Sequence, residues 1–135
     1  MEWMSAAAVF VGGGLGAVLR YYLERFLAPR RTSDALISAV FVINVLGSLA
    51  LGIVGAAVNV LGGQDAVAYA GLSLGLLGGF TTFSTAMVEA VQALLAGRYA
   101  RFVMLWLVQP TLSLLALITG YTAAAAVLLT VFSAR

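Results

Sequence analysis

The sequence predicts an all-α integral membrane protein, with four transmembrane helices forming a single domain over residues 1–135. Three observations predict it. Apolar residues make up 63% of the chain and charged residues only 9%, whereas soluble domains carry about 25% charged residues. Mean hydropathy is +1.09. Four stretches each supply the roughly 20 mostly apolar residues that a helix needs to cross the hydrocarbon core. No segment alternates with period two over barrel length, so a strand barrel is excluded. Disorder is excluded by the lack of charge.

The first span runs from about Met4 to Leu27 and the second from about Ala35 to Val60. The third covers about Ala66 to Leu95 and the fourth about Phe102 to Phe132. Turn and polar residues join them: Ala28-Pro29-Arg30-Arg31-Thr32-Ser33-Asp34, Gly62-Gly63-Gln64-Asp65 and Gly97-Arg98. All three joints are short, which makes consecutive helices antiparallel neighbours. Trp3, Tyr21, Tyr22, Tyr69 and Tyr99 fall near span ends, where aromatic belts form. Glu2 and the lack of an early positive charge do not fit a cleaved signal peptide.

Composition also limits the chemistry. The chain has no cysteine and no histidine, which removes disulfides, thiolate or imidazole metal sites and imidazole bases. The seven basic residues are all arginine and scattered, so no basic stripe exists for nucleic acid. Catalytic residues and an enzymatic cofactor are not expected.

The 15 glycines concentrate within the spans. Gly12 and Gly16, Ser48 and Gly52, and Gly71, Gly75 and Gly79 recur at four-residue spacing, which lets membrane helices pack closely. The centre of span three differs. It reads Gly75-Leu76-Leu77-Gly78-Gly79-Phe80-Thr81-Thr82-Phe83-Ser84-Thr85, a run that makes a poor helix. Two readings stand. A break at that depth must be buried in protein or line a wet cavity, and broken membrane helices hold ions. Alternatively the helix is continuous, with Ser and Thr bonded back to the preceding turn.

Few polar side chains lie deep in the spans. Asn44, near the middle of span two, must face the bundle interior, either in an interhelical hydrogen bond or as a donor to an anion. Gln109 and Ser113 share one face of span four, beside Pro110, which should kink that helix. Glu89 lies about 12 Å inside the end of span three. It is either a proton-coupling acid, as in small drug antiporters, or a structural acid bonded to its neighbours. Arg20 snorkels or pairs with Glu24 at i+4.

Together these pieces resemble the small bacterial fluoride channels, the Fluc or CrcB family. Gly12-Gly13-Gly14-Leu15-Gly16-Ala17-Val18-Leu19-Arg20-Tyr21 is similar to its first-helix signature, ending in the characteristic arginine. Asn44-Val45-Leu46-Gly47 resembles its second-helix motif. Gly78-Gly79-Phe80-Thr81-Thr82-Phe83-Ser84-Thr85, followed by Glu89, resembles its third-helix hallmark. The resemblance implies passive, selective fluoride export across the cell membrane by an antiparallel dimer with two pores. It implies a central, structural Na⁺ that is not transported, held by the carbonyls at Gly78 and Thr81 of both subunits. It implies a fluoride path along Asn44 as donor and Phe83 as first ring, with hydroxyls from Ser84, Thr85 and Ser113, and with Gln109 one turn before Ser113. Arg20 and Glu89 are then structural or vestibule residues. The runner-up is a proton-coupled tetraspan antiporter using Glu89, although antiporters of that type carry their acid in the first helix.

The departures from the family pattern are specific. Ala86 and Met87 stand where the hallmark usually continues with a second Phe and then Ser, and Val40 replaces a hydroxyl four residues before Asn44. Arginines are also unevenly placed. The side bearing the first and third joints carries Arg25, Arg30, Arg31, Arg98 and Arg101, whereas the terminal side carries Arg135; Arg20 lies within a span. Positive charge stays cytoplasmic, so the termini are expected outside. A dual-topology homodimer needs a balanced count. The bias and the missing pore groups point to one degenerate half of a heterodimer with an oppositely oriented homologous chain; the alternative is a second copy of this chain, with a crippled pore.

Overall fold

A computed structural model describes residues 2–27, 35–61 and 66–133. Four helical paths are long and apolar enough to cross a membrane: Glu2–Leu27, Ala39–Val60, Val67–Leu95 and Tyr99–Ser133. The first two are single α-helices, α1 (Glu2–Leu27) and α2 (Ala39–Leu61). The third comprises α3 (Ala66–Ala70), a wide π segment (Gly71–Leu77), α4 (Gly78–Phe80) and α5 (Phe83–Leu95). The fourth comprises α6 (Tyr99–Val103), a second π segment (Met104–Val108) and α7 (Gln109–Ser133). The joints at 28–34 and 62–65 lie outside the described residues, as do Arg30, Arg31 and Arg135 of the charge count.

Two boundaries differ from the hydropathy windows, each for a local reason. Span two starts at Ala39 rather than Ala35, because the Ser38 hydroxyl accepts from Phe41 N at 3.1 Å and caps the helix. Span four starts at Tyr99 rather than Phe102. Gly97, at φ 71°, closes α5 in a Schellman turn, with Gly97 N donating to Leu94 O (3.0 Å) and Arg98 N to Ala93 O (2.8 Å). The next helix then starts at once, with Phe102 N donating to Arg98 O at 3.0 Å.

Both π segments have identifiable causes. Gly71 and Gly75 open the first, and the Gly78 N–H reaches Ser73 O five residues back as well as Gly75 O. The second ends at Gln109, whose N–H reaches Met104 O, immediately before Pro110. A proline ring clashes with the carbonyl four residues earlier, and widening the preceding turn relieves that clash.

Glycines set the packing. α1 lies against the third span so closely that a Cβ on Gly12 would meet Gly71 O, and one on Gly79 would meet Gly13 O. α2 pairs with α7 in the same manner, with Gly52 against Leu117 O and Gly120 against Leu49 O. Phe41, Ala90 and Leu105 form the small buried core, with Val45, Phe102, Met104 and Val108 packed on it. The outer faces are apolar: Phe10 is 83% exposed and Leu95 82%. Apolar cover on this scale suits lipid, not water. Trp3, Tyr21, Tyr22, Tyr69 and Tyr99 are all exposed near helix ends.

The α1 contact is directly testable. An added methyl at Gly16 would come within 2.8 Å of Phe80 N and 3.0 Å of the Leu76 carbonyl carbon, whereas at Gly14 it meets nothing within 4 Å. Gly16→Ala should therefore destabilise the bundle by about 1–3 kcal/mol, the range for overpacking. Gly14→Ala should leave it unchanged. Reversible unfolding in mixed micelles distinguishes them.

Candidate functional site

The site forms where the helical path of span three stops. Thr81 (φ −84°, ψ 156°) and Thr82 (φ −149°, ψ 120°) are extended between α4 and α5. Gly78 and Gly79 are weak helix formers, and Thr81 ties off the upstream turn. Its N–H donates to Leu77 O at 3.0 Å and its hydroxyl donates to the same oxygen at 3.1 Å. Thr82 then caps α5, its Oγ1 accepting from Thr85 N at 3.3 Å. Ser84 Oγ (3.3 Å) and Thr85 Oγ1 (3.1 Å) gather around the same oxygen.

Two extended residues within a membrane helix free backbone groups that need partners. Asn44 on α2 supplies both partners for Thr82. Its Nδ2 donates to Thr82 O at 2.7 Å, and its Oδ1 accepts from Thr82 N at 2.8 Å. This realises the interhelical reading of Asn44. One of the two Nδ2 protons remains for the cavity that the residue lines. Arg20 on α1 donates through Nε to Gly79 O at 3.4 Å and pairs with Glu24 at 3.4 Å. The Thr82 N–H that a continuous helix would give to Gly78 O is given to Asn44, so that carbonyl loses its helical donor.

Beside this step lies a cavity of about 210 Å³ lined by Asn44, Ser48, Thr81, Thr82, Phe83, Met87, Gln109, Pro110 and Ser113. Four of the six residues expected on an anion path, Asn44, Phe83, Gln109 and Ser113, therefore meet in one space. Ser84 and Thr85 do not line it and stay in the Thr82 hydroxyl cluster. Gln109 is buried, and its Oε1 and the buried Ser113 Oγ have no hydrogen-bond partner among the described residues.

Ser48 lines the cavity as well as preceding Gly52 in the small-residue pair. Its position one turn after Asn44 on the same helix face was the available signal. Val40 and Ala86, where a hydroxyl and a ring are missing, are both buried and do not line the cavity; Met87 does. Glu89 does not line it either. Its Oε2 lies 3.5 Å from Arg101 Nη2, an ion pair across the Gly97 turn, and makes no hydrogen bond among the described residues, unlike the hydrogen-bonded acid of the structural reading.

The family model described as "CrcB-like protein, Camphor Resistance (CrcB)" matches residues 7–121. A protein of Methylobacterium nodulans named "Fluoride-specific ion channel FluC" is 38% identical over 97 residues, covering 72% of this chain and 77% of that protein. A protein of the same name from Methylobacterium sp. (strain 4-46) is 38% identical over 101 residues, covering 75% and 80%. "Fluoride-specific ion channel FluC 2" of Cutibacterium acnes is 43% identical over 91 residues, covering 67% and 72%. The chain belongs to the CrcB family and is a multi-pass protein of the cell membrane.

Partnered and unpartnered site residues should differ in what they contribute to folding. Asn44→Ala bares both Thr82 groups and should cost upwards of about 2 kcal/mol, since each buried orphan costs about 1–3. Ser113→Ala removes a buried hydroxyl that has no partner among the described residues and should leave stability unchanged or raise it by up to about 1 kcal/mol. Unfolding in mixed micelles measures both.

Proposed function

We propose that this CrcB-family chain is a subunit of a passive, fluoride-selective channel, and that the cavity beside Thr81–Thr82 is part of its anion path. The observation that carries the proposal is the convergence of Asn44, Phe83, Gln109 and Ser113 on one cavity. Fluoride is small and strongly hydrated, so a path must replace its water with donors. The Asn44 and Gln109 amides and the Ser48 and Ser113 hydroxyls can donate. Phe83 can present the positive edge of its ring. Among the described residues no carboxylate lines the cavity, so no full negative charge stands against an anion there. The names of the relatives support fluoride as the permeant ion.

The reading extends to a broken third helix that holds Na⁺ at the carbonyls of Gly78 and Thr81. Among the described residues no group of three or more His, Cys, Asp or Glu could hold a metal. Backbone carbonyls suit a hard, weakly held cation. The donor that a continuous helix would supply to Gly78 O is engaged by Asn44, which fits that oxygen to the task. When bound, the cation would supply a fixed positive charge beside the anion path. This chain's own residues hold the step extended through Asn44 and Arg20 and complete the donor lining.

The assembly follows from the same reading: two subunits in opposite orientation, with this chain as one half of a heterodimer. Its bias of arginines to one side supports a single orientation.

The chain purified together with its co-expressed homologous partner and placed in liposomes should release fluoride to an ion-selective electrode while retaining chloride. Equal flux of both ions would overturn fluoride selectivity. Gln109→Glu places a carboxylate in the cavity and should slow fluoride efflux at least about tenfold, roughly 1.4 kcal/mol of added barrier. An unchanged rate in folded protein would remove the cavity from the path. Accessibility of the termini in cells should show one orientation, with full activity appearing only on co-expression of the homologous partner. Two equally populated orientations with robust flux from the pure chain would leave a homodimer.

A further inference from the structure

We propose that Asn44 is a positioning residue that couples cation retention at the Thr81–Thr82 step to the anion cavity. The inference rests on the preceding reading, in which the Gly78 and Thr81 carbonyls hold Na⁺.

The argument starts from one proton. In a continuous helix the Thr82 N–H would be held by Gly78 O; here it is held by Asn44 Oδ1, at 2.8 Å. The first arrangement occupies the carbonyl that a cation needs; the second leaves it available. Asn44 secures the second from both ends, because Nδ2 holds Thr82 O at 2.7 Å. The contact between α2 and the step is tight one turn along. A Cβ on Gly47 would meet the Thr81 methyl and come within 3.1 Å of the Phe80 ring. Asn44 and Gly47, three residues apart on one face, thus seat α2 against Phe80–Thr82.

Asn44 also lines the cavity with Ser48, Phe83, Gln109 and Ser113. A single amide therefore touches the peptide that sets the cation site and the space that receives the anion. Linkage fixes the consequence. If a cation on Gly78 O favours the Asn44-bound state of Thr82, the Asn44 clamp favours cation binding by the same factor. Arg20 does not share this role, because its partner across the interface is Gly79 O.

The test reads cation binding and backbone protection in the full chain, apart from flux. Thr82 amide exchange and thermal unfolding are followed in nanodiscs across a Na⁺ titration, with N-methyl-D-glucamine keeping ionic strength constant. In the wild type, Na⁺ should slow Thr82 exchange at least tenfold and raise the midpoint of unfolding. Asn44→Ala should abolish the exchange response and raise the Na⁺ concentration for half-maximal stabilisation at least tenfold. Ser48→Ala, which alters the cavity without touching Thr82, should leave that concentration unchanged. If Asn44→Ala does not fold, Asn44→Asp carries the arm. Its carboxylate still accepts the Thr82 N–H but sets an oxygen against Thr82 O, so a partial shift is expected. A wild type stabilised by Na⁺ whose Thr82 exchange ignores Na⁺ would overturn the coupling alone. So would an Asn44 variant that keeps the wild-type half-saturation. A wild type whose stability ignores Na⁺ altogether would overturn the cation reading and the coupling with it.

Discussion

Backbone that leaves helical bonding inside a bilayer must find partners within the protein, at several kcal/mol for each group left bare. The extended pair Thr81–Thr82 imposes that demand at one place, and the rest of the bundle is arranged to meet it. Span one answers with Arg20 on Gly79 O, and span two answers with Asn44 on both polar groups of Thr82. Span three answers for itself, with Thr81 bonding back to Leu77 O and Thr82 Oγ1 capping α5. Each of the first three spans contributes, so the interruption specifies how they pack.

The glycines make that reach possible. Arg20 can touch Gly79 O because α1 lies backbone to backbone on the third span, with Gly12 and Gly16 set against Gly71, Leu76 and Phe80. The contact needs close approach, since lipid supplies no hydrophobic drive between helices. α2 and α7 meet similarly at Gly52 and Gly120. The cavity is lined where α2, the Thr81–Thr82 step and the start of α7 come together, and its wall draws on residues from three spans.

Much of this was legible in the sequence, and what was not has physical causes. The spans follow from length and hydropathy, which depend on neither neighbours nor partners. Their starts shifted where a local bond decides: the Ser38 cap before Ala39 and the Schellman turn at Gly97 before Tyr99. The π segments left no periodic trace, because one wide turn changes the repeat over too few residues. Asn44 announced through residue type alone that it needs a partner, but Thr82, 38 positions away, could not be read from it. Ser48 was read for its size and not for its hydroxyl, although its spacing from Asn44 was available. Glu89 offered a coupling acid or a structural one, and Arg101, beyond the Gly97 turn, decides for the ion pair. Val40 and Ala86 were read as lost pore groups; both are buried, and neither lines the cavity.

With the cavity taken as the proposed anion path, the placement of charge bears on why a neutral path suits an anion that must also leave. Conduction requires binding strong enough to replace hydration and weak enough to release. A bare guanidinium in the cavity would hold fluoride too tightly, and a bare carboxylate would exclude it. The structure keeps both out of the lining: Arg20 faces Glu24 and Gly79 O, and Arg101 faces Glu89. What remains at the wall are the amides and hydroxyls of Asn44, Ser48, Gln109 and Ser113, the Phe83 ring, the Thr81–Thr82 step and the apolar Met87 and Pro110. Dipoles held by a rigid backbone step supply field without net charge. On this reading the ion pairs outside the cavity act by keeping the cavity neutral, and the Asn44–Thr82 clamp acts by keeping its dipoles in place.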